Sequence, residues 1–438
     1  MPPYEKSLGN GLILRSVRDE QDIERYSAFH FHLFHNTECV TIDRLLHYHP
    51  EISYEDFWFV EDESNGRIAA TVCLVPWHCR FDEVELDMAQ LEVVATHPDY
   101  RRRGLIRTLI GRFHERTAER NMHICAIGGI PYYYRQFGYA YAVDMAVPRL
   151  IPARAIPDVP SSFPYRLRLA TPDDAPVLTR LYERAMVPVQ FHDKRSLAFW
   201  RYHLRWAAYP FRLVERTSDG EVVGYVCTWH NGAWVSESAI FSHEVGLAVL
   251  SLLKAESGGD VAIGGPESSV LARIARLRAG SSPRGYQWLL RIPDIPRFLR
   301  RIAPVLERRL ALSSHAGLSS DLVLNLFREA FRLSFREGKL VDVQPLGFVD
   351  TSHPNDGGDI QIPQDAFTRL VCGYRDVEEL RDAWPDIVIK PEVRLLVEEL
   401  FPKMTSFLYL PYSYAGPVPD TAEEALSRNL QPAGNTCG

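Results

Sequence analysis

Three consecutive arginines, Arg101, Arg102 and Arg103, are followed at once by Gly104. The cluster stands between an apolar run and an amphipathic stretch, and its chemistry is that of phosphate binding. Amide groups at a helix start have no partner inside the helix, and the helix dipole favours an anion there. A glycine lets a phosphate approach the backbone, and guanidinium groups add charge-assisted hydrogen bonds. Taken alone, the arginines would also serve as an ordinary solvated basic turn.

The neighbouring elements fit the first reading. Leu91 to Thr96 is β-branched and apolar, which predicts a strand, and Pro98 stops it in a turn over His97–Tyr100. Leu105, Leu109, Ile110 and Phe113 then recur at helical spacing. Upstream, Glu83, Glu85 and Asp87 alternate with Val84, Leu86 and Met88, so the acids share one strand face. After Ala89 the phase changes, which predicts a β-bulge close by. Asp87, Gln90 and Glu92 are candidates to bind or deprotonate a cationic substrate, and solvated strand acids are the ordinary alternative. Downstream, His123 to Gly128 reads as a strand, and Pro131 starts a short turn of helix containing Tyr134.

Arg101-x-x-Gly104 after a strand resembles the pyrophosphate-binding motif of the GNAT superfamily of acetyl-CoA-dependent N-acetyltransferases. Ile106 stands where glycine or alanine is usual, a form that resembles the Eis-type branch. The segment Tyr134-Arg-Gln-Phe137-Gly138-Tyr139 is similar to the one that carries the family's catalytic tyrosine. The resemblance implies an acetyl-CoA cosubstrate contacted by Val94, Thr96, Arg101, Arg102, Arg103, Gly104, Leu105 and Ile106. It implies catalytic roles for Tyr134, as general acid to the leaving thiolate, and for a backbone N–H at Val94. The acceptor it implies is an amine: an aminoglycoside, a polyamine or a lysine. A different class of function, non-catalytic CoA sensing or lipid binding on the same fold, stands beside it.

The whole chain sets outer bounds. Its 438 residues exceed one ordinary core, and 46% hydrophobic with 24% charged residues is a globular composition. A net charge of -7 argues against nucleic acid as a partner. Seven cysteines without a Cys-x-x-Cys pair fit reduced thiols. With no apolar run able to span a bilayer, no membrane partner and a cytoplasmic location are expected. His30, His32 and His35 are near neighbours, but no Cys or carboxylate completes a ligand set, so no metal is expected. Ser251-x-x-Lys254 matches a serine hydrolase motif without its partner motifs.

The expected fold is α/β (α+β). Residues 1–150 read as a mixed-sheet GNAT domain and 151–164 as a proline-rich linker. Residues 165–292 repeat the order strand, helix, hairpin, and read as a second, degenerate GNAT-like domain. Where the arginine-glycine turn would recur, it offers Ser242-His243-Glu244-Val245-Gly246. Ile295 to Leu310 reads as one amphipathic helix. By resemblance, 293–416 is a sterol-carrier-protein-like α+β domain, 417–438 a loose tail, and the assembly a homo-oligomer, a hexamer. The family's use of a C-terminal carboxylate in the active site is not carried to Gly438.

Overall fold

The structure is a computed structural model that describes residues 3–34, 38–145, 148–159, 163–206, 210–229, 232–279, 285–351 and 357–409. His35 and the tail expected over 417–438 lie outside the described residues.

The first sheet begins with β1 (Glu5–Gly9) and β2 (Leu12–Ser16). Two helices follow, α1 (Glu20–Phe34) and α2 (Glu38–Tyr48), the first opening on Glu20 and Asp22, which favour the positive end of its dipole. Next come β3 (Phe57–Asp62) and β4 (Arg67–Phe81), a hairpin closed around Asn65-Gly66 with Gly66 at φ 67°. β5 (Val84–Thr96) returns antiparallel to β4. α3 (Leu105–Glu119) crosses to β6 (Ile124–Ile127), and β7 (Ala140–Asp144) follows.

β5 and β6 are parallel, but their pairing covers only Met88, Ala89 and Gln90 against Ile124, Cys125 and Ala126. Beyond Gln90 the two strands are no longer paired. The bulge lies at Val93–Val94, opposite Val72, rather than next to Ala89. The reason is burial. From Val84 to Met88 one face of β5 is partly open, so the acids alternate, whereas Ala89 to Val93 is buried without a break. The phase change marks entry into two-sided burial.

Two strands join a sheet other than the one formed by their own stretch of sequence. Gln287–Arg291 inserts between β6 and β7, antiparallel to both, and so completes the first sheet. Arg149–Ile151, expected at the end of the first domain and the start of the linker, pairs instead with Val261–Ile263 and edges the second sheet. That sheet continues through Trp234–Ala239, Val222–Trp229, Phe211–Arg216 and Tyr165–Leu169. Each sheet therefore holds a strand from the other's stretch of sequence. Phe191–Lys194 adds a further link by pairing with the far end of β4 and with Ser406–Phe407.

The third sheet orders Lys339–Gly347, Ala330–Arg336, Ser320–Asn325, Ile360–Gln361 and Val388–Ile389. Its core is continuous with that of the first unit: Phe298, Leu299 and Val305 join Phe81, Phe335 and Phe367 in one buried cluster. The expected single helix over 295–310 is two, Ile295–Arg301 and Ala303–Ala311. Pro304 explains the break, since proline is tolerated in a first helical turn but not in an interior. Ser251 donates to the Leu247 carbonyl (3.0 Å) and Lys254 bonds the Ile156 carbonyl and Asp158. Both residues of the hydrolase-like pair are thus engaged structurally.

Candidate active site

The turn between β5 and α3 is held from outside and left open within. His97 accepts from the Asp99 amide (3.2 Å), and Tyr100 donates to Asp62 (2.7 Å), which pins the turn to the β3–β4 hairpin. Arg102 at φ 64° and Gly104 at φ 76° both take the left-handed conformation. None of the described residues lies within 4 Å of where a Gly104 side chain would begin, so among them only backbone conformation demands glycine. No side chain caps α3, and its first amides face outward without intrahelical acceptors. Arg101, Arg102 and Arg103 are exposed beside it. Arg103 is steadied by the Asp99 carbonyl (3.1 Å) and by the Tyr100 ring 4.9 Å away. Leu105 is buried and Ile106 packs partly against the core, so these two offer a ligand backbone rather than side chains.

Tyr134 sits in a short turn of helix, Tyr133–Phe137, between Tyr132 at φ 68° and Gly138 at φ 84°. Arg107 in the first turn of α3 joins this segment to the arginine turn: it donates to Gln136 (2.8 Å) and lies over the Phe137 ring at 5.2 Å. The three adjacent tyrosines differ in environment. Tyr132 is 74% exposed, Tyr133 half-buried and Tyr134 5% exposed. Burial, reinforced by the nearby Glu92 carboxylate, raises the Tyr134 phenol above its ordinary value near 10. It is therefore held in the proton-bearing form.

Gly129 forms the floor under that ring. A methyl group there would overlap Tyr134, so the glycine is required by close approach. The Gly129 carbonyl accepts from the Tyr286 hydroxyl (2.8 Å), which lies 3.3 Å from that of Tyr141. Tyr286 immediately precedes the inserted strand Gln287–Arg291. Sequence reasoning missed Gly129 and Tyr286. An Ile-Gly-Gly triplet does recur, at Ile127-Gly128-Gly129 and Ile263-Gly264-Gly265, after the parallel strand of each sheet. That repeat could have flagged Gly129. Nothing local to Tyr286 could have placed it 157 residues away against Gly129.

The strand candidates divide. Gln90 and Glu92 are buried where β5 leaves β6, and Gln90 Nε2 donates to Glu92 Oε1 at 2.6 Å. Val93 has φ 56°, a conformation that strains a β-branched residue by about 1–3 kcal/mol. Val94 is half-buried in the bulge, and Thr96 ends the strand opposite Ala70. Asp87 lies elsewhere. It is about 23 Å from Val94 at ~3.3 Å per residue along an extended strand. There it bonds His78 Nδ1 (2.9 Å), whose Nε2 meets Glu51 (2.9 Å). The two carboxylates raise His78 to about 10. Asp87 is a partner of that charge cluster and has no place at the bulge. Among the described residues, no group of three or more His, Cys, Asp or Glu is arranged to hold a metal ion. No helix among them is long and apolar enough to cross a membrane.

Residues 14–142 match the acetyltransferase (GNAT) domain family. No curated protein sequence matches the chain. Several solved structures are similar over 92% of this chain and 100% of their own length. One is a conserved protein of unknown function from Enterococcus faecalis V583, a probable N-acyltransferase, at 15% identity and TM-score 0.68. Another is a GCN5-related N-acetyltransferase from Kribbella flavida, at 17% and 0.66. A third is Eis1 from Mycobacterium abscessus, at 17% and 0.59. At these identities the likeness is one of fold. Residues 14–142 thus match a GNAT acetyltransferase domain, within a chain that shares its fold along almost its whole length with these solved structures.

Proposed function

We propose that the chain is an acetyl-CoA-dependent N-acetyltransferase acting on a primary amine by direct attack in a ternary complex. One observation carries this reading: Arg107 ties an uncapped, arginine-flanked helix start to the segment that bears a buried tyrosine, at the mouth of a splayed pair of strands. The pyrophosphate is taken by Arg101, Arg102, Arg103 and the α3 amides from Gly104 to Ile106. The pantetheine arm lies along the cleft wall at Val94 and Thr96.

The amine attacks as a neutral base, since an ammonium has no lone pair. Its nitrogen bonds to the thioester carbon, and the carbonyl oxygen gains charge that the Val94 N–H stabilises. The C–S bond then breaks, and the thiolate takes the proton of Tyr134. A phenol raised above 10 keeps its proton in the resting site and gives it up as the C–S bond breaks, where desolvation raises the basicity of the thiolate formed beside it as well. The amine's surplus proton leaves through Glu92, which Gln90 orients, and an equivalent proton from solvent restores the Tyr134 phenol. The acceptor is an aminoglycoside, a polyamine or a lysine side chain. The layout of the chain follows the Eis type, with a second GNAT-like unit, a sterol-carrier-protein-like third unit and hexameric assembly in the cytoplasm.

The test is thiol release from acetyl-CoA with a panel of amines, for the wild type and for Tyr132→Phe, Tyr133→Phe and Tyr134→Phe. Tyr134→Phe should bind acetyl-CoA normally and lose about 10²- to 10⁴-fold in kcat, the usual worth of general acid catalysis. Normal turnover by Tyr134→Phe would remove the tyrosine from the chemistry. CoA binding with no turnover on any amine would favour a sensing role instead.

A further inference from the structure

Thr71 and His30 lie outside the arginine turn and the tyrosine segment, yet they meet at the bulge of β5. His30, on α1, is fully buried, and its ring stacks on Tyr26 with centroids 5.5 Å apart. Its Nε2 lies 2.8 Å from Thr71 Oγ1. Thr71, also fully buried on β4, donates its hydroxyl proton to the Val93 carbonyl at 3.0 Å. A hydroxyl has one proton to give, so the His30–Thr71 bond requires the proton to sit on His30 Nε2. The chain of donors runs from helix, through strand, to one strained peptide.

That peptide is the one whose nitrogen belongs to Val94. It is trans and planar, so its C=O and N–H point in opposite directions. With the Val93 carbonyl turned to Thr71, the Val94 N–H is turned to the other side, away from Thr71. Neither Val93 nor Val94 has a register partner on β4, and β6 has already left β5 after Gln90. The bulge, the positive φ of Val93 and the Thr71 bond therefore act on one quantity, the direction of the Val94 N–H.

We infer that Thr71, braced by His30, is a positioning residue that aims the Val94 N–H at the thioester oxygen of acetyl-CoA. The inference rests on the transferase reading above. Without the Thr71 hydroxyl, the 93–94 peptide relaxes from its strained conformation and the donor swings off its target. The ground state of CoA itself, which has no acetyl carbonyl, does not feel the change.

The experiment compares Thr71→Val, Thr71→Ser and His30→Phe with the wild type. Readouts are kcat and KM for acetyl-CoA, and the affinities for CoA and for the analogue in which methylene replaces the thioester sulfur. Loss of a whole oxyanion donor is worth about 10²- to 10³-fold, so a misaimed one should lower kcat of Thr71→Val by about 10- to 100-fold. CoA affinity should stay within about twofold, because its contacts are uniform between ground and transition states. The wild type should bind the ketone analogue more tightly than CoA, and Thr71→Val should lose that preference. Thr71→Ser keeps the hydroxyl and should recover most of kcat, while His30→Phe should fall between. Thr71→Val with wild-type kcat overturns the role alone, as does Thr71→Ser failing equally or CoA affinity falling in step with kcat. A wild-type chain without turnover overturns the transferase reading and this role together.

Discussion

Two helices begin in the same place relative to their sheets, at the end of a splayed strand, and they treat their first amides in opposite ways. α3 starts at Gly104 with no side-chain cap and with arginines before it. His243–Ser257 starts at Ser242, whose hydroxyl accepts the Val245 amide at 3.1 Å, and it carries Glu244 in its first turn. One end leaves its donors to a ligand, and the other satisfies a donor itself and adds a charge that repels phosphate. The strands repeat the contrast. Gln90 Oε1 has no hydrogen-bond partner among the described residues, whereas Glu237 of the second unit is paired with Arg195 (2.9 and 2.6 Å) and Tyr225 (2.6 Å). An unfilled set of hydrogen bonds marks a place built for something else to complete it, and a filled set marks structure.

The largest effect that could break this contrast is loss of binding. Arg101→Ala combined with Gly104→Glu should abolish acetyl-CoA affinity in calorimetry, with the folded state checked by circular dichroism. The first change removes a phosphate partner, and the second places an anion beside it on a backbone that resists side chains. The wild type should bind one CoA per chain, and a stoichiometry of two would erase the distinction between the helix starts. Gly129→Ala comes next. Displacing the Tyr134 ring should lower kcat by about 10²-fold, the scale of an ångström-sized misplacement, with acetyl-CoA affinity retained. A milder signature is pH. Because burial holds the Tyr134 phenol above 10, its proton stays in place and kcat should hold through pH 10. A fall centred below that value would show a phenol in an ordinary environment. The smallest effect belongs to the second helix. Ser242→Ala should cost about 1 kcal/mol of stability in a denaturant titration, the usual worth of an N-cap. CoA affinity should be unchanged.

Local chemistry was legible and long-range pairing was not. Arg101 to Gly104 and Tyr134 to Tyr139 could be read because each owes its role to neighbours within a few residues. The bulge was misplaced because alternation vanishes once both faces of a strand are buried, and at that point β5 no longer says where its extra residue lies. Asp87 looked like Gln90 and Glu92 in spacing, but distance along an extended strand separates their roles. Thr71 and Tyr286 carry no pattern of their own, and the spacing of His30 with His32 and His35 points to nothing at the bulge. Thr71, His30 and Tyr286 matter through hydrogen bonds to residues 22, 41 and 157 positions away.

The exchange of Gln287–Arg291 for Arg149–Ile151 between the first two sheets bears on how the chain is made. A ribosome that has finished β7 has not supplied the strand that lies beside it, and the waiting edges of β6 and β7 stay unpaired until residue 291 has emerged. At ordinary synthesis rates of about 5–20 residues per second, that interval lasts several seconds or more. The nascent first unit spends it as an open sheet, in need of protection from other chains. A fragment cut between the units would remain in that condition permanently, so the first unit with a closed sheet cannot be obtained by truncation. Activity should therefore appear in a single step late in synthesis, once both sheets close together.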